Sequence, residues 1–153
     1  MAEREKSVIP YRVLEEFRYE IRRFLNFSER AARLAGVEPH QHQALLVIKA
    51  VPAGGKATVG FLAGRLLIQH HSAVELSNRL EGKELIRRSR SGTDRREVLL
   101  TLTADGEKLL HRLSELHHAE LQTTGPRLLK ALQVVSRAAP GAGAPPAEIP
   151  RTH

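Results

Sequence analysis

The spacing of apolar residues predicts a long amphipathic helix over residues 11–35. Apolar and small side chains recur there every three to four positions, which places them on one helix face, and charged residues fill much of the rest. That face consists of Leu14, Phe17, Ile21, Phe24, Leu25, Ser28 and Ala32. A helix of this span is about 37 Å long, more than a small domain covers by itself. We therefore expect a partner subunit to cover part of it.

The middle of the chain predicts three further helices. A largely apolar segment, 39–51, begins with a proline that suits the first helical turn. Thr58 suits the cap of a short helix over 59–67, and after a brief turn a helix resumes over 70–82. Two short helices joined by a tight turn are typical of a helix-turn-helix unit.

Two strand-like runs follow this unit directly. Residues 85–88 form a short run, and residues 97–103 form a longer one that is rich in strand-forming side chains. The polar segment 89–96 between them predicts a β-hairpin with an extended tip. Thr103 suits the cap of the next helix, because acidic residues occupy the first turn after it.

The C-terminal part predicts two helices and a tail. Apolar residues keep a helical period over 104–123, and Gly125–Pro126 is expected to break that helix. A last helix is predicted over 127–138. Residues 139–153 hold four of the eight prolines and have little to bury, which predicts a disordered tail.

Composition excludes several classes of function. The 153 residues fit one domain, and a hydrophobic share of 41% is enough for one core. The chain has no cysteine, which excludes disulfides, thiol catalysis, thiol redox sensing and cysteine-ligated zinc. No apolar run approaches the ~18 residues of a membrane helix, and residues 1–10 lack the apolar core of a signal peptide. We therefore expect a cytoplasmic protein with no membrane partner.

The positive charge is concentrated in one place. The net charge is +7, and residues 79–96 hold seven basic side chains against three acidic ones. The basic ones are Arg79, Lys83, Arg87, Arg88, Arg90, Arg95 and Arg96. A charge run is most simply a solvated face, but this run occupies the predicted hairpin next to the helix-turn-helix. That position favours a polyanionic partner such as nucleic acid.

A helix-turn-helix followed at once by a basic hairpin is typical of a winged-helix DNA-binding module. The second helix fits a major groove about 12 Å wide and reads base edges from its N-terminal residues. Arginines of the wing reach the negative potential of a neighbouring minor groove. The long terminal helices can pair two subunits, which presents two recognition helices to a pseudo-palindromic operator in double-stranded DNA.

The fold class predicted is therefore mainly α with a small β-hairpin wing, a winged helix-turn-helix with N- and C-terminal dimerisation helices. A flexible N-terminus at 1–10 is expected to precede a single winged-helix domain at 11–138. Within that domain, 11–38 and 104–138 are expected to be the dimerisation helices, and 39–103 the DNA-binding part.

The residues from 66 to 106 resemble the MarR family of bacterial transcriptional regulators; they read LLIQHHSAVELSNRLEGKELIRRSRSGTDRREVLLTLTADG. Three parts carry the resemblance. Arg79-Leu80-Glu81 ends the recognition helix, Asp94-Arg95-Arg96 matches the family's Asp-x-Arg, and Leu102-Thr103 with Gly106 matches its Leu-Thr-x-x-Gly. The helix order agrees over roughly 10–138.

The resemblance implies a homodimer whose first and last helices intertwine. It also implies a repressor, less often an activator, whose binding to operator DNA is often modulated by a small-molecule effector. The effector would bind between the dimerisation and DNA-binding parts, and the family's general plan suggests Tyr11, Arg18 and His42 as its polar contacts. No cofactor or metal is implied.

The resemblance also assigns roles to single residues. Asp94 would orient the wing, and Arg96 would enter the minor groove. The base-reading positions fall on Gln69, His70, His71, Ser72 and Glu75. The remaining DNA-binding candidates are the basic residues Arg79, Arg90 and Arg95.

Two of these positions depart from the family's usual pattern. Gln69 stands where serine or aspartate, which cap a helix well, are common, so the helix start is open by a residue. Glu75 stands where a basic or polar residue is common. It can accept from cytosine N4 or pair with Arg79 one turn along, and we favour the pair.

Other interpretations of the chain carry less weight. Eight histidines raise the question of a metal site, but His111 and His118 are two turns apart, whereas zinc ligands on a helix prefer a spacing of four. The sequence contains no nucleophile elbow, no clustered metal ligands and no dinucleotide-binding glycine pattern, so an enzyme is not expected. The alternatives left open are a non-specific architectural DNA-binding protein and a winged helix that contacts protein. The polar start of the recognition helix argues against the first of these, and the density of wing arginines argues against the second.

Overall fold

The computed structural model describes residues 11–92, 94 and 96–137 of the chain. In chain order the elements are α1 (Tyr11–Leu34), α2 (Pro39–Lys49), α3 (Val59–Leu66), α4 (His70–Gly82), β1 (Ile86–Arg90), β2 (Val98–Leu102) and α5 (Ala104–Arg137). The mainly helical class with a two-stranded hairpin is confirmed. The flexible N-terminus predicted at 1–10 and the disordered tail predicted at 139–153 lie outside the described residues.

The break predicted at Gly125–Pro126 is wrong, because α5 runs unbroken from Ala104 to Arg137 with Pro126 inside it. A proline removes one backbone hydrogen bond from a helix, but packing on both sides offsets that loss. Before the proline, Thr124 is buried and its hydroxyl donates to the Glu120 carbonyl at 2.9 Å. After it, Ala131 is buried in the same helix. Tertiary contact with α1 therefore overrides the local signal.

Local sequence explains where the short helices begin. The Thr58 hydroxyl accepts a hydrogen bond from the Phe61 backbone N–H at 3.0 Å and so caps α3. Thr103 does the same for α5, accepting from the Gly106 N–H at 3.0 Å, as predicted. The Thr103 hydroxyl also donates to the Glu84 carbonyl at 2.6 Å. The α5 cap is thus joined to the segment between α4 and β1.

The core lies between α2, α3, α4 and the hairpin, and the first half of α5 closes it. Its largest fully buried apolar side chains come one each from α2, α3, α4, β1 and α5: Leu45, Leu62, Leu80, Ile86 and Leu113. The helices α1 and α5 pack along each other at the other end of the molecule. There, many apolar side chains stay exposed, among them Leu14, Leu25, Leu121, Leu129 and Leu132. No helix in the described part of the chain is long and apolar enough to cross a membrane.

Gly106 sits where α5 passes closest to the start of the hairpin. A Cβ atom at this position would lie 2.0 Å from the backbone oxygen of Leu85, a distance that no side chain tolerates. The same oxygen accepts the Thr103 N–H at 3.0 Å. The glycine in the Leu-Thr-x-x-Gly pattern is therefore required by a close backbone approach.

Candidate nucleic-acid interface

The recognition helix α4 begins at His70, as predicted. Leu67 turns the chain between α3 and α4 in the left-handed conformation, with φ 55°. Gln69 is the N-cap residue and its side chain makes no capping hydrogen bond, which leaves it available to an external partner. Gln69, His70 and His71 are exposed, and Ser72 is half-buried. Four of the predicted base-reading residues thus lie together at the start of α4.

One face of α4 is turned away from the core. Its buried residues are Ala73, Leu76, Ser77 and Leu80. With 3.6 residues per turn, the opposite side carries His71, Glu75 and Asn78, all of them exposed. Asn78 was missed by the sequence analysis, although its distances of seven residues from His71 and three from Glu75 placed it on the same face.

The pair between Glu75 and Arg79 is present. Their side chains approach to 3.9 Å, and both are about two-thirds exposed or more. An exposed pair of this kind contributes well under 1 kcal/mol to stability. Arg79 also borders a cleft that α4 forms with α1 and α2. Its role as a DNA contact stays a prediction.

The wing is an antiparallel hairpin in which Ile86 pairs with Leu102 and Arg90 pairs with Val98. Arg87, Arg90 and Arg96 are exposed on it. No carboxylate of a described residue lies within ion-pair distance of these three arginines. The predicted DNA contact Arg95 lies outside the described residues.

Asp94 shapes the tip of the wing. Its carboxylate accepts a hydrogen bond from the Arg96 backbone N–H at 2.9 Å, while its carbonyl accepts from the Glu97 N–H at 3.1 Å. An aspartate that binds the backbone two residues on is a common turn former. Asp94 thus binds the backbone that carries Arg96, and its role in orienting the wing stays a prediction.

The second strand of the wing is tied to the segment before α3. The Leu100 N–H donates to the Ala57 carbonyl at 2.7 Å, and Thr58 forms an isolated bridge with Leu99. The ammonium group of Lys56 lies 3.0 Å from the Glu97 carboxylate. The wing is therefore anchored on two sides, because Leu85 and Thr103 hold it to α5.

A second cluster joins α2 to the two long helices. The imidazole of His117 on α5 is bonded through Nε2 to the Ser28 hydroxyl of α1 at 2.6 Å. The His42 ring of α2 stacks on it with the ring centres 4.7 Å apart. Phe24 and Phe27 meet the His117 ring edge-on. Burial, and then the neighbouring His117 ring, lower the pKa of His42 from 6.5 to about 4.

The three suggested effector contacts do not come together. His42 is buried, whereas Tyr11 and Arg18 are exposed on α1. Ser28, the α1 residue in the cluster with His42, is ten residues beyond Arg18 and seventeen beyond Tyr11, or about 15 and 25 Å along the helix. Within one chain the three residues are therefore not brought together, and their role as effector contacts stays a prediction. Within α1, Tyr11 and Arg18 lie too far from Ser28 to reach His42 in the same chain, which a comparison with the family alone does not show.

A cleft of about 500 Å³ lies instead between α1 and the first half of α5. It is lined by Asn26, Phe27, Arg30, Ala31, Leu34, Ala35, Arg112 and Leu116. Most of this lining is apolar, and Arg30 and Arg112 supply positive charge. The described residues include no group of three or more histidine, aspartate or glutamate side chains placed to hold a metal ion.

Comparisons with known proteins agree with this architecture. Residues 35–97 match the MarR family model. The structure is similar to that of AbsC, a MarR family transcriptional regulator from Streptomyces coelicolor, with a TM-score of 0.71 at 18% identity over 89% of this chain and 93% of AbsC. The resemblance inferred from the sequence and the winged-helix class are confirmed.

Two further structures show what such folds bind elsewhere. The S. aureus MepR–DNA complex has a TM-score of 0.66 at 22% identity, over 79% of this chain and 89% of MepR. Bordetella bronchiseptica BpsR, whose DNA binding is regulated by 6-hydroxynicotinic acid, has a TM-score of 0.61 at 21% identity, over 82% of this chain and 96% of BpsR. No curated protein matches the sequence significantly.

Proposed function

We propose that this chain, with a MarR family match at its centre and the fold of MarR family regulators throughout, is a homodimeric, sequence-specific DNA-binding transcriptional regulator. The observation that carries the proposal is the outward polar face of α4 beside a wing on which three exposed arginines, Arg87, Arg90 and Arg96, have no ion pair within the described part of the chain. The comparisons with transcriptional regulators support a binding protein in place of an enzyme.

The proposed base readers lie on α4. Gln69, His70, His71 and Ser72 form its start, and Asn78 extends the same exposed side. In a major groove, an asparagine or glutamine side chain pairs with adenine through two hydrogen bonds, and serine accepts or donates to several bases. The helix therefore has the chemistry for base recognition as well as for contact with phosphates.

The proposed minor-groove contact is Arg96, held by the turn that Asp94 forms. Arg90 stands at the end of β1 near it, and Arg95 is added from the sequence. Arginine is drawn into a narrow minor groove by its negative potential. This contact positions the dimer on DNA and adds preference for the shape of the groove.

The proposed dimer uses α1 and α5, corresponding to 11–38 and 104–138, whereas 39–103 binds DNA. Large apolar side chains are exposed along both helices: Leu14, Tyr19 and Leu25 on α1, and Leu121, Leu129, Leu132 and Val134 on α5. A second copy of the chain would remove these surfaces from water. A two-fold pair of recognition helices then matches a pseudo-palindromic operator.

We further propose that the protein is a repressor released by a small-molecule effector. The compound that regulates BpsR, 6-hydroxynicotinic acid, is an aromatic acid. In this chain the apolar cleft with Arg30 and Arg112 is the surface that suits such a ligand, and it adjoins Phe27, which contacts the His117 ring. A ligand in this cleft changes the affinity for DNA only if it binds the DNA-binding and the non-binding conformations of the protein with different affinity.

The experiment is fluorescence-anisotropy titration of the DNA beside the chain's own gene against scrambled DNA of equal length, across a salt series. We expect a preference of about 10³ or more for the first DNA at physiological salt. Equal affinity for both DNAs favours the architectural alternative, and binding to neither refutes the winged-helix function.

The wing assignment is tested in the same assay with Arg96→Ala. We expect a strong loss of affinity with an unchanged melting temperature, because Arg96 is exposed. Arg22→Ala on α1 is the matched control: it removes the same charge from an exposed arginine in another region. Operator affinity in Arg96→Ala equal to that of the control would refute the role of Arg96.

A further inference from the structure

One arginine of the wing differs from its neighbours because a carboxylate neutralises it. The Arg88 Nε donates to the Glu81 carboxylate at 2.8 Å, and the Arg88 backbone N–H donates to the other oxygen of the same carboxylate at 3.3 Å. Glu81 belongs to the last turn of the recognition helix α4, and Arg88 is the middle residue of β1. One side chain thus bonds both the charge and the backbone of the wing strand.

Strand geometry explains why Arg88 takes this partner. Successive side chains of a strand point to opposite faces, so Arg88 shares a face with the buried Ile86 and is turned toward α4. About a third of its side chain remains exposed, as does 40% of the Glu81 side chain. Arg87 points to the other face and has no ion pair within the described part of the chain.

We propose that Glu81 is a positioning residue that withholds Arg88 from the DNA backbone and holds the wing to the end of the recognition helix. This inference rests on the proposed function. A guanidinium group already bound to a carboxylate does not neutralise a phosphate. The wing therefore contacts DNA through a limited set of arginines, in a fixed position relative to α4. Contacts with phosphates are independent of base sequence, so withholding one raises the ratio of specific to non-specific binding.

The proposal differs from plain electrostatics in what it predicts for salt dependence. Removal of any acidic residue near DNA strengthens binding through the general field. Removal of Glu81 in addition frees the Arg88 guanidinium, which can then displace a counterion from the DNA. Each phosphate neutralised changes the slope of log affinity against log salt by about −0.9. The number of contacts, and with it the slope, therefore distinguishes the two explanations.

The test measures binding of a mixed-sequence DNA duplex from about 50 to 200 mM salt. We expect Glu81→Gln to steepen the slope by about one contact relative to the wild type. Glu84→Gln is the matched control, since it makes the same charge change three residues along and Glu84 forms no side-chain ion pair among the described residues. It should leave the slope unchanged.

Two further variants complete the cycle. Arg88→Gln alone should have the wild-type slope, because Arg88 contacts no phosphate while Glu81 holds it. The double variant Glu81→Gln/Arg88→Gln should return the slope to that value. In Glu81→Gln, the preference for the DNA beside the chain's own gene over scrambled DNA should also fall.

Equal slopes in Glu81→Gln and Glu84→Gln would overturn the inference, as would a shallower slope in Arg88→Gln. Thermal melting of each variant shows that a change in slope does not come from unfolding. If the wild type binds no DNA, the proposed function fails and the inference falls with it. If the wild type binds and the slopes do not differ, only the inference fails.

Discussion

The winged-helix part and the pair of long helices differ in how much of their apolar surface is buried within one chain. In the first, Leu45, Leu62, Leu80 and Ile86 are almost wholly removed from water by the chain's own residues. In the second, Leu129 is 55% exposed and Tyr19 48% exposed on helices that otherwise pack well together. The core of 39–103 is therefore buried largely within one chain, although Leu46 and Leu67 stay exposed there. On α1 and α5, the exposed apolar side chains are the ones that the proposed dimer would cover.

The two regions meet at two contacts of different chemistry, which we call seams. One is the backbone approach of Gly106 to Leu85, where no side chain fits. The other is the stack of His42 on His117, where two imidazole rings are packed among Ser28 and phenylalanines. The first seam is rigid because its atoms belong to the backbone. The second is sensitive to pH because burial lowers the pKa of His42 to about 4.

The backbone contact between Gly106 and Leu85 gives the largest expected effect on the free energy of unfolding. Gly106→Ala places a methyl group against the Leu85 oxygen, which backbone atoms on both sides hold in place. Overpacking costs roughly 1–3 kcal/mol, and we expect the upper end here because no flexible side chain can yield. Chemical denaturation measures the loss in free energy of unfolding.

The control for that variant is Gly64→Ala on α3, where nothing lies within 4 Å of the added methyl group. Alanine in a helix is favoured over glycine by roughly 0.5–1 kcal/mol, so this variant should be more stable than the wild type. A cost below about 1 kcal/mol for Gly106→Ala would contradict the close approach of α5 to the wing.

The titratable seam predicts a loss of stability in acid. The pKa of His42 is about 4 in the folded protein and 6.5 in its ordinary state, so between these values the unfolded chain binds a proton that the folded one does not. The contribution of His42 is therefore fully present above pH 6.5 and is lost as the pH falls toward 4. We expect a loss on the order of 2 kcal/mol between pH 7 and 5.

Thermal or chemical unfolding at a series of pH values checks this dependence. His42→Gln should be less stable at pH 7 but flatter in its pH profile. His40→Gln, on the same helix and less buried, should keep the wild-type profile. Parallel pH profiles for the wild type and His42→Gln would show that the seam does not sense protons.

The smallest expected effect on the free energy of unfolding belongs to Glu84, in the turn between α4 and the wing. Glu84 has a φ of 58°, in the left-handed region where a Cβ atom is unfavourable. Glu84→Gly removes this strain and keeps the backbone carbonyl that Thr103 bonds, so we expect a gain of about 1 kcal/mol. Asn78→Gly, within the helix, should instead destabilise by roughly a few tenths of a kcal/mol. A loss of stability in Glu84→Gly would mean that its side chain contributes more than the strain costs.

The same contrast explains what sequence alone could predict. In the winged-helix part, each predicted element lies within two residues of its observed ends, because its amphipathic pattern is satisfied within the chain and Thr58 and Thr103 mark helix starts. The break at Pro126 was predicted wrongly, because a local signal gives no account of the packing of α1 on α5. His117 was passed over as one histidine among several, since its partners Ser28 and His42 are far away in sequence.

The continuity of α5 through Pro126 has a mechanical consequence. Its 34 residues make a rod about 51 Å long, which begins at the base of the wing and ends among the exposed leucines of the proposed dimer. A rod of this length acts as a lever, since a rotation of one degree at one end moves the other by about 0.9 Å. In the proposed dimer, a small change in how the two subunits lean on each other would thereby be amplified into a change in the span between their two wings.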